Sequence, residues 1–343
     1  MKKVTIDDVA RESGVSKETI LAVINAEDFV RPQTREQVLD VMRSLNYHPI
    51  GLERNLIRNA HDRSIGIIIK DFSYPFYQSI VMGVKEYADT KDYSVIVTSS
   101  EDDHRSEERL THLFSENNVK GAIIAPTLEG ESEIEHLFEL KRLNYPFVLL
   151  EDLNGIQANV VAIDNLKAIK KVVTYLINSG HTKIVHFAGP QYSSHTQERI
   201  DGFRHAFSES ALIFRDDMIV PMGSHFEECS SRVKKYFESK QKREYPTAIV
   251  CFNDLQAFAV ITALRELSIC VPDDISVIGN DDISYANMCP VPLTTVRAPQ
   301  HEIGVKAAEI LIRHIESTSL LPPERVILET EFVLRGSSKV LNS

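Results

Sequence analysis

The stretch Met1-Lys-Lys-Val-Thr-Ile-Asp-Asp-Val-Ala-Arg-Glu-Ser-Gly-Val-Ser-Lys-Glu-Thr-Ile-Leu-Ala-Val-Ile-Asn25 decides how the rest of the 343 residues is read. Thr5 and Asp8 have capping-box spacing, in which a hydroxyl accepts an early helix amide and a carboxylate reaches back to the cap. A helix is therefore expected to begin there. Ile6, Val9 and Ala10 share one apolar face, and Gly14 supplies the backbone freedom that a tight turn between helices needs. Ser16 restarts a helix as its N-cap. In that second helix Ile20, Val23 and Ile24 share a face, while Lys17, Glu18, Leu21 and Ala22 are expected to point elsewhere. Periodicity alone leaves two readings open: a packed helical hairpin, or a helix-turn-helix whose second helix enters the DNA major groove.

The residues themselves narrow the choice. Val4-Thr5-Ile6-Asp7-Asp8-Val9-Ala10, Gly14-Val15-Ser16, Asn25, Val30, Thr34-Arg35 and Leu45-Asn46-Tyr47 with Pro49 resemble the N-terminus of the lactose/galactose-repressor (LacI/GalR) family. The likeness runs on into the last strand of the chain. It implies a one-component bacterial transcription regulator, with an α/β fold made of a three-helix helix-turn-helix headpiece and two doubly wound lobes of periplasmic-binding-protein-like type.

Length and composition agree with such a chain. A total of 343 residues exceeds what one core usually holds, and 43% apolar with 25% charged residues is ordinary for a globular protein. No apolar run of about 18 residues predicts a membrane span, and the N-terminus has no apolar export segment. Cys229, Cys251, Cys270 and Cys289 are scattered without metal or disulfide spacing, so reduced thiols in the cytoplasm are expected. The net charge is −11, yet residues 1 to 60 carry nine Lys+Arg and nine Asp+Glu, so all the excess acidity lies beyond residue 60. A neutral headpiece lacks the basic footprint of a strong phosphate binder, which predicts weak non-specific binding and dependence on dimerisation.

Along the chain, Pro32 suits the first turn of a third helix reaching about Leu45, with Val38, Leu39, Met42 and Leu45 as its stripe. Residues 1–49 are expected to form the headpiece and residues 50–61 a hinge too short and Gly-compromised to be a stable helix alone. From Ser64, β-branched runs alternate with helical stripes: Ile65–Ile69, Ser94–Val97, Gly121–Ala125, Phe147–Leu150, Val160–Ile163, Lys183–Phe187, Thr247–Phe252 and Ile275–Gly279. Continuous apolar strands spaced by helices predict buried parallel sheets in two α/β lobes. In the resembled family the chain crosses between lobes three times. That places a first lobe at about 62–163 and 290–325, and a second at about 164–289 and 326–343, within an effector-binding and dimerisation domain of residues 62–343. Without a closing leucine heptad a homodimer is expected, not a coiled-coil tetramer.

At DNA, Lys17 can donate to guanine O6 or N7 and Glu18 can accept from cytosine N4; as an exposed, solvated pair they would do neither. The resemblance assigns phosphate contacts, which set register without reading sequence, to Thr5, Ser16, Thr19, Asn25, Thr34 and Arg35. The family usually has Ser-Arg where this chain has Leu21-Ala22, which leaves Ala22 at most a touch on a thymine methyl. Arg54 and Leu56 match the family hinge, where paired leucines wedge into the minor groove. Ile50 and Glu53 depart from it.

In the cleft between α/β lobes ligands bind beside the carboxyl ends of strands. Arg199, Asn253 and Asp281 match family effector contacts, a guanidinium, an amide and a carboxylate suited to vicinal hydroxyls. Asp71, Phe76 and Tyr77 match a family segment whose aromatics can face a sugar ring or a base. Glu151 stands where relatives often have Asp, and His225 near an aromatic lid. Asp254 and Asp282 can instead cap helices, Asp164-Asn165 can start one, and Phe76 can be core. The chain contains no G-x-x-x-x-G-K-[ST], G-x-G-x-x-G, H-E-x-x-H or G-x-S-x-G, and its twelve His have no metal spacing. No cofactor, metal or catalytic residue is expected. The expected function is a cytoplasmic, homodimeric repressor that binds a pseudo-palindromic operator in double-stranded DNA and is switched by a small sugar effector. A sugar-binding receptor module with an impaired headpiece is the different-class alternative, and a cleft enzyme a remote third.

Overall fold

The computed structural model describes residues 5–24, 30–45, 47, 63–128, 134–223 and 226–341. The chain divides into two compact units, Met1–Ser64 and Ile65–Ser343. In the first, α1 (Ile6–Ser13), α2 (Lys17–Ile24) and α3 (Pro32–Ser44) surround a small core of Val9, Ile20, Val23, Val38 and Met42. α1 ends where Gly14 takes φ 70 and its N–H returns to the Ala10 carbonyl, a left-handed stop that other residues adopt at a cost. The Gln37 amide donates to the Ser13 carbonyl at 2.9 Å and ties α3 to the end of α1.

The second unit is built on two sheets. Its elements run β1 (Ser64–Ile69), α4 (Phe76–Asp89), β2 (Ser94–Ser99), α5 (His104–Glu116), β3 (Ala122–Ile124), α6 (Glu135–Arg142), β4 (Phe147–Leu149), β5 (Asn159–Ile163), α7 (Asn165–Asn178), β6 (Ile184–Ala188) and α8 (Ser194–Ser208). Then follow β7 (Ile219–Pro221), α9 (Phe226–Glu238), β8 (Ala248–Cys251), α10 (Asp254–Glu266), β9 (Ser276–Ile278), β10 (Thr295–Arg297), α11 (Gln300–Glu316), β11 (Arg325–Leu328) and β12 (Glu331–Val333). All eight apolar runs become strands. The order is β11-β5-β4-β3-β1-β2 in a six-stranded sheet and β7-β6-β8-β9 in a four-stranded one; β10 and β12 pair antiparallel.

Strand residues alternate between helix layers, as the pleat dictates. Ile65, Ile67 and Ile69 of β1 pack with Ile80 and Val84 of α4 and Leu311 of α11, whereas Ile68 faces Phe114 and Leu137 on the other side. In the second sheet Phe187 and Ile249 face Val233 and Val260, while Ile184 and Val250 face Ile169 and Phe203. Gly66 lies under the Phe114 ring, where a Cβ would overlap it.

The sheets exchange chain at points that differ from the expected boundaries. Strand β11 joins the first sheet beside β5, with Val326 opposite Val161. β10 and β12 instead extend the second sheet: Gly279 N–H donates to Thr294 at 2.9 Å and Val277 N–H to Ser337 at 2.8 Å. The late exchanges therefore fall near residues 298 and 330, not 290 and 325. A short β-branched run states that it is a strand but not which neighbour it pairs with. Among the described residues no helix is long and apolar enough to cross a membrane.

Candidate functional site

The headpiece candidates sit at helix starts. The Thr5 N–H and hydroxyl donate to the Asp8 carboxylate at 3.0 and 2.8 Å. These bonds, the backbone one first, pull the Asp8 carboxyl below its ordinary range. The Ser16 hydroxyl accepts the Thr19 N–H at 3.2 Å and caps α2. Lys17 and Glu18 are exposed in the first turn of that helix, and Lys17 forms an ion pair with Asp7. Thr34 and Arg35 are half-buried at the start of α3. Asn25, Arg54 and Leu56 lie outside the described residues. Ala22 requires a correction: it is buried in the headpiece core beside Val23, while Leu21 is the exposed member of the pair. At about 100° per residue Ala22 lies off the face shared by Ile20 and Val23, roughly 160° from Ile20; its burial comes from the packing of the other headpiece residues, and a small side chain fits where helices pack closely. Buried to 5% exposure, Ala22 presents little surface for a thymine methyl.

In the second unit a cavity of about 540 Å³ opens at the carboxyl ends of both sheets. Lys70 and Asp71 end β1, Thr127 follows β3, Glu151 follows β4, Asn253 follows β8 and Asp281 follows β9. Of the eight residues expected in the cleft, seven line this cavity: Asp71, Phe76, Tyr77, Glu151, Arg199, Asn253 and Asp281. His225 lies outside the described residues.

Arg199, from the middle of α8, is 3% exposed. Its Nε donates to Asn165 at 2.9 Å, one terminal nitrogen donates to the Phe252 carbonyl, and the other stands 3.4 Å from Asp281 Oδ1. The guanidinium also lies 4.6 Å over the Phe252 ring. Asp281 takes a hydrogen bond from the Tyr74 hydroxyl and another from the Asn280 amide at 2.7 Å. Burial pushes its carboxyl up, against the pull of Arg199. Asp281 holds φ 113, strained backbone for a residue with a Cβ. Glu151 is ion-paired with Lys70, accepts the Ser194 hydroxyl at 2.8 Å and lies 3.7 Å from His195. Burial raises its carboxyl, but His195, Lys70 and the bonds to Lys70 and Ser194 outweigh that and hold it at about 2. Burial drives the His195 imidazole down to about 4.

Asn253 does more than face the cavity. Its Oδ1 accepts the Gln256 N–H at 2.8 Å as the N-cap of α10, which engages one of that oxygen's two lone pairs and leaves Nδ2 and the other lone pair for a ligand. Asp254 is not the cap: fully buried, it accepts the Thr295 hydroxyl at 2.5 Å and the Ile283 N–H at 2.8 Å. Asp282 pairs with Arg297 and Arg335. Asp164 does start α7, accepting the Lys167 N–H at 2.8 Å. Lys70, Tyr74, His195, Arg232 and the rings of Phe226 and Phe252 line the cavity without having been singled out. The one signal for Lys70 and Tyr74 was their position beside Asp71.

Residues 5–49 match the family described as bacterial regulatory proteins of the lacI type, and residues 173–338 match a periplasmic binding protein-like domain. Over 341 residues the chain is 32% identical to the transcriptional repressor PurR of Photobacterium profundum, covering 98% of this chain and 99% of that one. The chain belongs to the LacI family. This LacI-family protein is also 29% identical to the transcriptional regulator DegA of Bacillus subtilis, across 99% of its own length and all of DegA. Among solved structures, the lac repressor dimer bound to operator and an anti-inducer superposes with a TM-score of 0.74 at 23% identity, covering 98% of this chain and 100% of that one. The CelR–cellobiose complex gives 0.72 at 24% identity with the same coverage. The fold is therefore that of LacI-type regulators. Family and relatives together make the protein a DNA-binding transcription regulator and not an enzyme.

Proposed function

We propose that this LacI-family regulator is a repressor that binds a pseudo-palindromic operator as a homodimer and is controlled by a sugar in the interlobe cleft. On this reading residues 1–49 read DNA, 50–61 are the hinge, and 62–343 bind effector and dimerise in the cytoplasm. The contacts to DNA are proposed for Thr5, Ser16, Lys17, Glu18, Thr19, Asn25, Thr34, Arg35, Arg54 and Leu56. Those to the effector are proposed for Asp71, Phe76, Tyr77, Glu151, Arg199, His225, Asn253 and Asp281.

The convergence of Arg199, Asp281 and the Asn253 amide on a ring-walled cavity of about 540 Å³ carries the sugar reading. That volume is in the range of small-molecule sites, and planar polar groups beside aromatic faces suit a polyol with one apolar surface. A relative of the same fold is known as a complex with cellobiose. The switch follows from coupling: a ligand that favours one arrangement of the lobes by about 1 to 3 kcal/mol changes operator occupancy severalfold or more.

The test is fluorescence anisotropy of DNA upstream of the protein's own gene, titrated with the full chain with and without sugars that raise its melting temperature. Salt-dependent binding that a stabilising sugar shifts is expected. Deleting residues 1–60 should abolish DNA binding and leave sugar affinity intact; specific DNA binding by the truncated chain refutes the assignment. The receptor-module alternative draws on the ion pairs of Lys17 with Asp7, Arg11 with Asp8 and Arg43 with Asp40, which occupy headpiece cations. Sugar binding with no DNA response at low salt would favour it.

A further inference from the structure

Among the described residues five carboxylates line the cleft: Asp71, Asp102, Glu151, Glu228 and Asp281. Three cationic side chains answer them, and each is engaged. Arg199 serves Asn165, the Phe252 carbonyl and Asp281. Arg232 pairs with Glu228 at 2.6 Å, and Lys70, largely buried, pairs with Glu151. His195 adds no charge at neutral pH, because burial drives its imidazole down to about 4. The Tyr77 hydroxyl shows the local field: burial first, then Glu151, Asp102, Asp281 and Asp71, all raise its pKa.

Glu151 sits between an ammonium and the side chains that open a helix, Lys70 on one side and Ser194 and His195 on the other. Its two oxygens take the Lys70 ammonium and the Ser194 hydroxyl, and Ser194 opens the fifteen-residue α8. An ammonium facing a helix N-terminus is a common way of holding phosphate or carboxylate. Here the chain's own carboxylate takes the Lys70 ammonium and the hydroxyl of the first α8 residue.

We infer that the cleft selects an uncharged, hydroxyl-bearing ligand over phosphorylated or carboxylated analogues, and that Glu151 sets this preference by neutralising Lys70 and covering the start of α8. This rests on the reading of the cleft as a sugar site and narrows it to sugars without an acidic group. A phosphate entering the wild-type cleft meets an excess of carboxylates and no unengaged cation among the described residues. In Glu151→Gln, Lys70 becomes an unneutralised cation beside the α8 N-terminus, and the preference should reverse.

The experiment uses the full chain as wild type, Glu151→Gln and Glu151→Gln/Lys70→Met. Inorganic phosphate and ribose 5-phosphate are titrated against chloride of equal ionic strength, with melting temperature and calorimetry as readouts. The wild type should respond to neither anion more than to chloride. Glu151→Gln should bind phosphate more than about tenfold tighter than the wild type, and the added Lys70→Met should remove the gain. Stabilisation of the wild type by either anion overturns the inference, and so does a Glu151→Gln protein that responds no better than wild type. If Glu151→Gln does not fold in chloride, phosphate in the refolding buffer should restore it; failure of phosphate to do so also overturns the inference. A neutral-sugar panel without any hit, alongside anions that still fail, would instead remove the sugar reading and leave the exclusion of anions standing.

Discussion

Arg199 stands 3.4 Å from Asp281 while the rest of its guanidinium is held by Asn165 and the Phe252 carbonyl. One side chain thus joins α7, the end of β8 and the end of β9. Removing the cation by Arg199→Leu leaves a buried carboxylate and a carbonyl without their partner, a loss of about 3 kcal/mol by the usual cost of breaking a buried pair. Arg199→Lys keeps the charge but not the planar fork, so it should fall between the two. Urea unfolding midpoints of the three proteins check the order. A Leu variant as stable as wild type would mean that the pair contributes nothing net.

His186 should contribute a fall in stability in mild acid, against the opposite contribution of Asp254, Asp281 and Glu198, whose carboxyls burial raises. His186 is fully buried, bonds the Val250 carbonyl through Nδ1 at 2.9 Å, and has its imidazole pushed down to about 4 by burial. Between pH 6.5 and 4 the unfolded chain therefore binds a proton that the fold refuses. Stability is present above pH 6.5 and is lost as pH falls toward 4, by up to about 3 kcal/mol for this residue. His195 acts in the same direction. Glu151, held at about 2, adds a further loss only below pH 4.5. His186→Gln keeps an amide donor for the Val250 carbonyl and cannot titrate, so its unfolding free energy should fall less between pH 7 and 5. Parallel slopes in the two proteins would remove His186 as the cause.

Helices α4 and α11 cross with glycine against backbone on both sides. A Cβ at Gly83 would stand well inside van der Waals distance of the His301 carbonyl oxygen, and one at Gly304 equally close to that of Ile80. Helix propensity alone favours Ala over Gly by about 1 kcal/mol. The crossing reverses the sign, because the obstructing atoms are backbone and cannot turn aside. Gly304→Ala should lose about 1 to 3 kcal/mol, read as a lower thermal midpoint; a raised midpoint would show that the helices separate without cost.

Much of this was legible in the residues. Eight apolar runs became eight strands, and Gly14, Ser16 and Asp164 took the turn and caps that their chemistry suggests. Local rules carry such features because the residue and its partner lie within four positions of each other. What was not legible depends on distant chain. Whether Ala22 or Leu21 is the buried member of the pair depends on packing by the rest of the headpiece, which local periodicity does not state. Lys70 beside Asp71 reads as a solvated charge until Glu151, 81 residues on, is brought to it. Tyr74 meets Asp281 only through the approach of the two sheets, and β11 declares no partner until β5 is beside it.

Lys17 offers the sharpest test of the headpiece. It is exposed in the first turn of α2 and ion-paired with the equally exposed Asp7, and such a surface pair is worth too little to keep it from a better partner. A lysine that reads guanine changes sequence preference, whereas one that meets phosphate lowers affinity evenly. Lys17→Ala should therefore relax discrimination at a single base pair by about 10- to 100-fold. Arg35→Ala, at a position proposed to hold phosphate, should weaken all sequences alike and reduce the salt slope by about one. Asp7→Asn frees Lys17 from its partner and should tighten binding without altering preference. Selection from a randomised operator, repeated at two salt concentrations for each variant, separates these outcomes. If Lys17→Ala lost affinity uniformly, the base-reading role would pass to Glu18 or Leu21, the other exposed side chains of the same turn and face.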